Sequence, residues 1–292
     1  MLLPAFPSPP RGRLTPEMLE AFDTTGVIIL RDFVSTAACA RLRRRALDLV
    51  AAFDPGEVRS VFSTTNQTQL DDAYFIDSGD KIRFFLEDGA FDETGRLRQV
   101  KEDSLNKMGH AMHDLDPVFD AFSRTPELAG VAASLGIGDP AIIQSMYIFK
   151  PPHIGGEVVC HQDSTYLYTE PESCTGFWFA LEDATTENGC MYFIPGAHKT
   201  PLRKRNYRKP GGGLVTETLD PSPFPEHLRQ PAEAAAGTLV VFHGRAPHLS
   251  GPNRSDVSRH AYTLHAIDRN SHYPAENWLQ RNAGLPLRGF AA

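Results

Sequence analysis

The chain has 292 residues, 41% of them hydrophobic, 22% charged and 10% aromatic, a length and make-up that bury a large core without staples and exclude a disordered, collagenous or coiled-coil protein. Its net charge of −7 has the wrong sign for generic attraction to nucleic acid or anionic lipid. Its apolar runs, such as 27–30 and 239–242, fall far short of the roughly 20 residues that cross a bilayer.

Residues 1–13 carry prolines at 4, 7, 9 and 10 and no basic stretch, so they read as a flexible tail rather than a signal peptide. Residues 14–292 are expected to form a single domain, with a helical part over about 14–135 and a strand-rich core over about 141–270. Thr15-Pro16-Glu17 supplies an N-cap followed by proline at the first helical position, and Gly26 closes that helix. A strand follows at 27–30. Ser35 caps a second helix, in which Ala38, Leu42, Ala46, Leu49 and Phe53 repeat at helical spacing until Asp54-Pro55-Gly56 ends the pattern. Arg41, Arg43, Arg44 and Arg45 fall mostly off that stripe, on a solvated face. A strand is predicted at 81–86, a turn at Gly95, and one further helix from Pro117 through Ser134.

The second half changes character. Short apolar or β-branched runs at 141–149, 157–161, 175–181, 190–194, 238–243 and 260–267 alternate with Gly, Pro and Asn turns, the pattern of antiparallel strands in a double sheet. Residues 199–230, rich in Pro, Gly and cations, lack periodicity and read as a long insertion between strands. Cys39, Cys160, Cys174 and Cys190 form no C-x-x-C pair and no regular spacing, which argues against a zinc site or disulfide framework and for reduced thiols in a cytoplasmic setting.

His161-Gln162-Asp163 stands at the end of the strand predicted at 157–161. Residues two apart on an extended strand point to one face, so an imidazole and a carboxylate converge there. A second histidine would complete the two-His, one-carboxylate set that leaves open positions on Fe(II). The tripeptide alone is a weak signal, since surface or capping pairs share it. Two histidines nearby are each followed eleven residues later by an arginine, His243 by Arg254 and His248 by Arg259. Such an arginine suits the far carboxylate of 2-oxoglutarate, because its fork bonds a carboxylate bidentately. Spacing does not choose between the pairs. Arg254 falls in a Pro-Asn turn whereas Arg259 opens the last strand, which favours His248 and Arg259.

Taken in order, His161-x-Asp163, the run from Glu187-Asn188-Gly189 through Pro195-Gly196-Ala197-His198, Phe242-His243-Gly244 through His248-x-Ser250, and Arg259 resemble the phytanoyl-CoA dioxygenase family, closest to its subgroup of domain-containing proteins. The segments 78–85 and 144–150 extend the likeness over roughly residues 14–280. The resemblance implies a mainly β fold with flanking helices, a cupin-like double-stranded β-helix or jelly roll. It implies Fe(II) held by His161, Asp163 and His248, with 2-oxoglutarate and O2 as cosubstrates. By the same likeness Arg259 and Ser250 meet the far carboxylate of 2-oxoglutarate, and Lys107, Met146 and Trp178 line it, although a Met or Trp on a strand serves equally well as plain core. Asp163 stands where halogenating relatives have a small residue, so the implied reaction is hydroxylation of a small organic or acyl substrate, with decarboxylation of 2-oxoglutarate to succinate and CO2. A sensor of the same fold that binds metal and 2-oxoglutarate without turnover is the alternative.

Other features read more plainly. His198 and His243 suit structural hydrogen bonding, and His110, His113, His153, His260 and His265 carry no pattern. The run 203–209 holds five cations in seven residues, either a solvated loop or an anchor for an anionic substrate. Tyr74, Phe75, Phe84, Phe85 and Phe91 read first as core and second as pocket wall. The expected partner is a small molecule, and the expected state a monomer.

Overall fold

The computed structural model describes residues 1–56 and 59–290. Its first strand lies where the sequence suggests a flexible tail. β1 (Ala5–Pro7) runs parallel to β2 (Val27–Arg31), tied by Ser8 N–H to the Arg31 carbonyl and Ile29 N–H to the Pro4 carbonyl. Prolines are tolerated there because β1 is an edge strand, where a missing N–H costs no inner ladder bond. Between the two strands the Thr15 hydroxyl accepts from Met18 N–H to start α1 (Pro16–Thr25), and Gly26, at φ 77°, ends it. α2 (Thr36–Ala51), capped by Ser35, buries Cys39, Leu42, Ala46 and Val50, while Arg43 and Arg45 reach Glu182 and Asp116.

Short α3 (Ala73–Ile76) leads into β3 (Ile82–Leu86) and β4 (Leu105–His110). The single helix expected from Pro117 to Ser134 is broken. After α4 (Met112–Leu115), α5 (Pro117–Ser123) stops and α6 (Pro126–Ser134) restarts, because Pro126 forces Thr125 into an extended conformation from which its hydroxyl caps the new helix. No helix among the described residues is long and apolar enough to cross a membrane.

The strands that follow are β5 (Pro140–Ile148), β6 (Val158–His161), β7 (Thr175–Ala180), β8 (Met191–Phe193), β9 (Lys204–Arg208), β10 (Leu214–Thr218), β11 (Gln230–Ala232), β12 (Leu239–His243), β13 (His248–Ser250) and β14 (Ala261–Asp268). An eight-stranded sheet has the order β1-β2-β12-β7-β14-β5-β4-β3, and a four-stranded sheet the order β11-β8-β13-β6. These two sheets form a jelly roll without closing into a hydrogen-bonded barrel. Both flanks of the larger sheet come from the first 110 residues, so the part expected to be helical also supplies three strands, β2, β3 and β4, and the expected tail supplies β1.

The larger sheet is buried on both faces, and alternation along each strand sorts its side chains. Ile28, Leu30, Phe177, Phe179, Leu239, Val241, Tyr262 and Leu264 pack with residues of α1, α2, α5 and α6. Val27, Ile29, Trp178, Ala180, Val240, Phe242 and Ala261 turn the other way, to Met191 and Phe193 of the smaller sheet. The expected insertion at 199–230 is also structured. β9 and β10 pair as an antiparallel hairpin around Gly211, Gly212 and Gly213, whose φ values of 94°, 109° and 77° only glycine adopts freely.

Candidate active site

The smaller sheet brings two histidines together. β6 and β13 pair His161 directly with His248, residues so paired share a face, and the ring centroids lie 4.2 Å apart. Asp163 follows two residues later, at the start of a 3-10 turn (Asp163–Thr165) rather than on the strand itself. One ligand atom from each residue lies within 4.8 Å of the other two. His161 Nε2 is 3.4 Å and His248 Nε2 3.7 Å from Asp163 Oδ1. Each Nδ1 donates to a carbonyl two residues earlier, Val159 at 2.8 Å and Ala246 at 3.0 Å, which leaves the lone pair on Nε2. Burial, then the neighbouring His161, pushes His248 down to about 4, so it is a neutral imidazole. Burial of Asp163 is outweighed by His265 and His248, which hold its carboxyl well below the usual range. His265 Nε2 donates to Asp163 Oδ2 at 2.8 Å, so Oδ1 is the oxygen left to the cluster. Two imidazole nitrogens and one carboxylate oxygen are the donor set of a non-haem Fe(II) centre.

Beyond the triad the cavity floor is cationic. Arg259 is 2% exposed, and its Nε donates to the Gly189 carbonyl at 3.2 Å while Nη1 has no partner among the described residues. Its guanidinium lies 5.6 Å from the Trp178 ring centroid. The residue sits two positions before β14 rather than on it, anchored by its N–H to the Lys150 carbonyl at 3.3 Å. Lys150, just past β5 and buried, donates through Nζ to Ser250 Oγ at 2.9 Å and to the Gly156 carbonyl at 2.6 Å. Lys107 on β4 is buried with Nζ 3.1 Å from the Phe62 ring centroid. Burial lowers all three cations, Arg259 to about 10 and Lys107 far below its ordinary value, with the Arg259 charge adding to the effect on Lys150. Glu87 offsets part of this charge, although burial pushes its own carboxyl up. Arg259 stays charged, and a buried guanidinium with a free N–H is costly until an anion meets it, a role that a small dicarboxylate suits.

All eight residues singled out in the sequence line one cavity: His161, Asp163, His248, Arg259, Ser250, Lys107, Met146 and Trp178. Met146 of β5, Thr263 of β14 and Trp178 of β7 form a single cross-strand row beneath the triad. His243 does not join them. Its Nδ1 accepts from Arg245 N–H at 3.0 Å, its ring lies 5.5 Å from His198, and Arg254 is exposed. The basic run is largely neutralised, with Arg203 on Asp220, Arg205 on Glu276, Arg208 on Asp77 and Lys209 on Asp71. Of the five aromatics, Phe75 lines the cavity while Phe84 stacks on Phe53 in the helix-side core. Lys150, Glu87, His110 and His265 are among the cavity residues to which the sequence assigned no role. Only His265 left a signal, since Arg259, Ala261, Thr263 and His265 alternate along one strand face.

Comparison with known proteins agrees with this geometry. The phytanoyl-CoA dioxygenase (PhyH) family model matches residues 22–261. Phytanoyl-CoA dioxygenase 1 of Oryza sativa subsp. japonica is 48% identical over 276 residues, covering 94% of this chain and 96% of its own. Phytanoyl-CoA dioxygenase domain-containing protein 1 of Bos taurus is 43% identical over 283 residues, covering 94% and 97%. Among solved structures, the non-haem α-ketoglutarate-dependent carbocyclase SnoK from nogalamycin biosynthesis superposes with a TM-score of 0.63 at 19% identity, over 95% of this chain and 97% of that one. EctD from S. alaskensis with bound Fe gives 0.61 at 21% identity, over 92% and 82%. At such identities those two share the fold. The chain belongs to the phytanoyl-CoA dioxygenase family, a family of 2-oxoglutarate-dependent non-haem iron dioxygenases.

Proposed function

We propose that this chain hydroxylates a small organic or acyl substrate at an Fe(II) centre held by His161, Asp163 and His248, with 2-oxoglutarate and O2 as cosubstrates. The observation that carries the reading is the meeting of three ligand atoms within 4.8 Å at the head of a buried, cationic cavity. Bound there, iron and 2-oxoglutarate supply the oxidising chemistry, with O2 consumed and succinate and CO2 released.

The protein's own part is to fix geometry and charge. His161 and His248 present Nε2 because backbone carbonyls engage Nδ1, and His265 occupies one oxygen of Asp163 so that the other serves as a single ligand. Arg259 receives the far carboxylate of 2-oxoglutarate through its free Nη1. Because Ser250 Oγ accepts from Lys150, its hydroxyl proton is free to donate to the same carboxylate. Lys107 adds charge, and Met146 and Trp178 wall the methylenes from water. Asp163, a ligating carboxylate where a small residue would admit a halide, favours hydroxylation.

The test is anaerobic titration of the Fe(II)-loaded chain with 2-oxoglutarate, followed by the visible charge-transfer band of the chelate and, after O2, by succinate. Band and succinate are expected. His248→Ala should lose iron binding while His243→Ala keeps it. Absence of the band overturns the site, and a band without succinate under any substrate turns the reading to a sensor.

A further inference from the structure

The cavity has a second end. β14 starts two residues after Arg259 and passes through His265, which pairs with Gln144 of β5, and Ser145 beside it pairs with His110 of β4. His110, Gln144 and His265 therefore lie several residues along the sheet from Arg259 and Lys150, and all line the same cavity. The His110 ring is fully buried, with Nδ1 2.7 Å from Ser78 Oγ. The Ser78 hydroxyl points at the Phe75 carbonyl, and it has one proton to give, so it accepts from His110 Nδ1–H. That fixes the tautomer with a lone pair on Nε2, and this atom has no partner among the described residues. Burial, then Lys107 and His265, keep the ring from protonating by holding it far below its ordinary value.

The surroundings are largely aromatic, with Lys107 Nζ 3.1 Å from the Phe62 centroid and 5.3 Å from that of Phe75. Phe75 and Trp278 meet the ring edge-on at 5.6 and 5.2 Å between centroids, and Phe62 lies 5.7 Å from Phe75. Gln144, 5% exposed, has a side-chain amide that bonds to nothing among the described residues. A buried acceptor left unmet costs about 1–3 kcal/mol, which a bound donor would return.

We propose that this end of the cavity is the polar anchor of the primary substrate, in which His110 Nε2 accepts a hydrogen bond from a hydroxyl or N–H group whose apolar body rests on Phe62, Phe75 and Trp278. The substrate is then a small molecule with a donor at one end of a compact apolar frame, and a plain alkyl chain is rejected. Sites built to bond a substrate O–H or N–H discriminate strongly against analogues lacking it. The inference rests on the dioxygenase reading, which puts 2-oxoglutarate at the Arg259 end.

The test is nitrogen-15 NMR of the histidine-labelled full chain loaded with Zn(II), a non-oxidising stand-in for iron, and 2-oxoglutarate, with His110→Gln assigning the signals. His110 Nδ1 should be protonated and Nε2 not. Cyclohexanol should move the Nε2 signal and bind about tenfold or more tighter than methoxycyclohexane, which keeps the ring and oxygen but loses the donor. His110→Gln should change that ratio. A protonated Nε2, an equal response to the ether, or no response to either probe at saturation overturns the anchor. The wild-type tautomer decides independently of whether the variant folds. Failure of Zn(II) and 2-oxoglutarate to bind would instead sink the dioxygenase reading, because the tautomer and the alcohol response remain readable in the unloaded chain.

Discussion

Replacing Arg259 by methionine separates affinity from stability. The guanidinium is 2% exposed, bonds one carbonyl through Nε at 3.2 Å, and leaves Nη1 unmet. In the free protein it is a buried charge without an acid partner among the described residues, so an apolar side chain of similar length, still packed on Trp178, should leave stability unchanged or raise it, by up to about 4 kcal/mol where such charges are replaced. With 2-oxoglutarate bound, the same change removes a charge-assisted bond to a buried carboxylate, worth about 2–5 kcal/mol. At about 1.4 kcal/mol per decade that is a loss of roughly 30-fold to several thousand-fold in affinity. Calorimetric titration of the metal-loaded variant with 2-oxoglutarate, beside urea unfolding of the free chain, reads both quantities. An unchanged affinity would refute the anchor. A stability loss of several kcal/mol in the free chain would show that Arg259 is held by contacts of its own, and the buried-charge reasoning would fail.

Two further perturbations test the frame around the site. The Asp114 side chain is buried and pairs with Arg124 at 2.6 Å, Arg288 at 2.9 Å, His113 at 3.1 Å and Arg281. Asp114→Asn leaves those cations uncompensated and should cost about 3–5 kcal/mol in urea unfolding. Its burial is outweighed by His113 and Arg281, which hold the folded carboxyl far below the unfolded value of about 3.9. That stability is therefore present above about pH 4 and lost as pH falls below it, so wild type should weaken more steeply than the variant between about pH 5 and 3; equal acid slopes would contradict this. Gly176→Ala would place a Cβ 2.2 Å from the Phe242 ring, which itself packs 4.9 Å from the His248 ring. Overpacking of about 1–3 kcal/mol should appear together with weaker metal binding despite an intact triad. Unaltered metal affinity would mean that Phe242 does not set the His248 position.

What the sequence reveals depends on how locally each feature is encoded. Strands β2, β5, β7, β12 and β14 are buried on both faces and stand out as apolar runs. β4 escapes because Lys107, Gly109 and His110 interrupt its apolar pattern, and β9 because its cations find acid partners elsewhere in the chain. The two-residue spacing of His161 and Asp163 is visible in the chain, and the choice of His248 over His243 follows from what comes after each. Lys150, Glu87 and His110 leave no such mark. Each is a single polar residue whose meaning comes from partners remote in sequence: Ser250 for Lys150, Gly156 for Glu87 and Ser78 for His110.

The order of strands in the larger sheet bears on how the chain acquires its shape. β2 has β1 on one side, and its other neighbour, β12, is synthesised more than two hundred residues later; β5, with β4 on one side, likewise waits for β14. A ribosome that has released only the N-terminal half exposes strand edges with nothing to pair, and pairings this remote in sequence form slowly. The chain should therefore depend on holding those edges apart from other chains until β12, β7 and β14 emerge to fill the centre. A nascent chain stalled before β12 should be far more prone to aggregate than one stalled after β14.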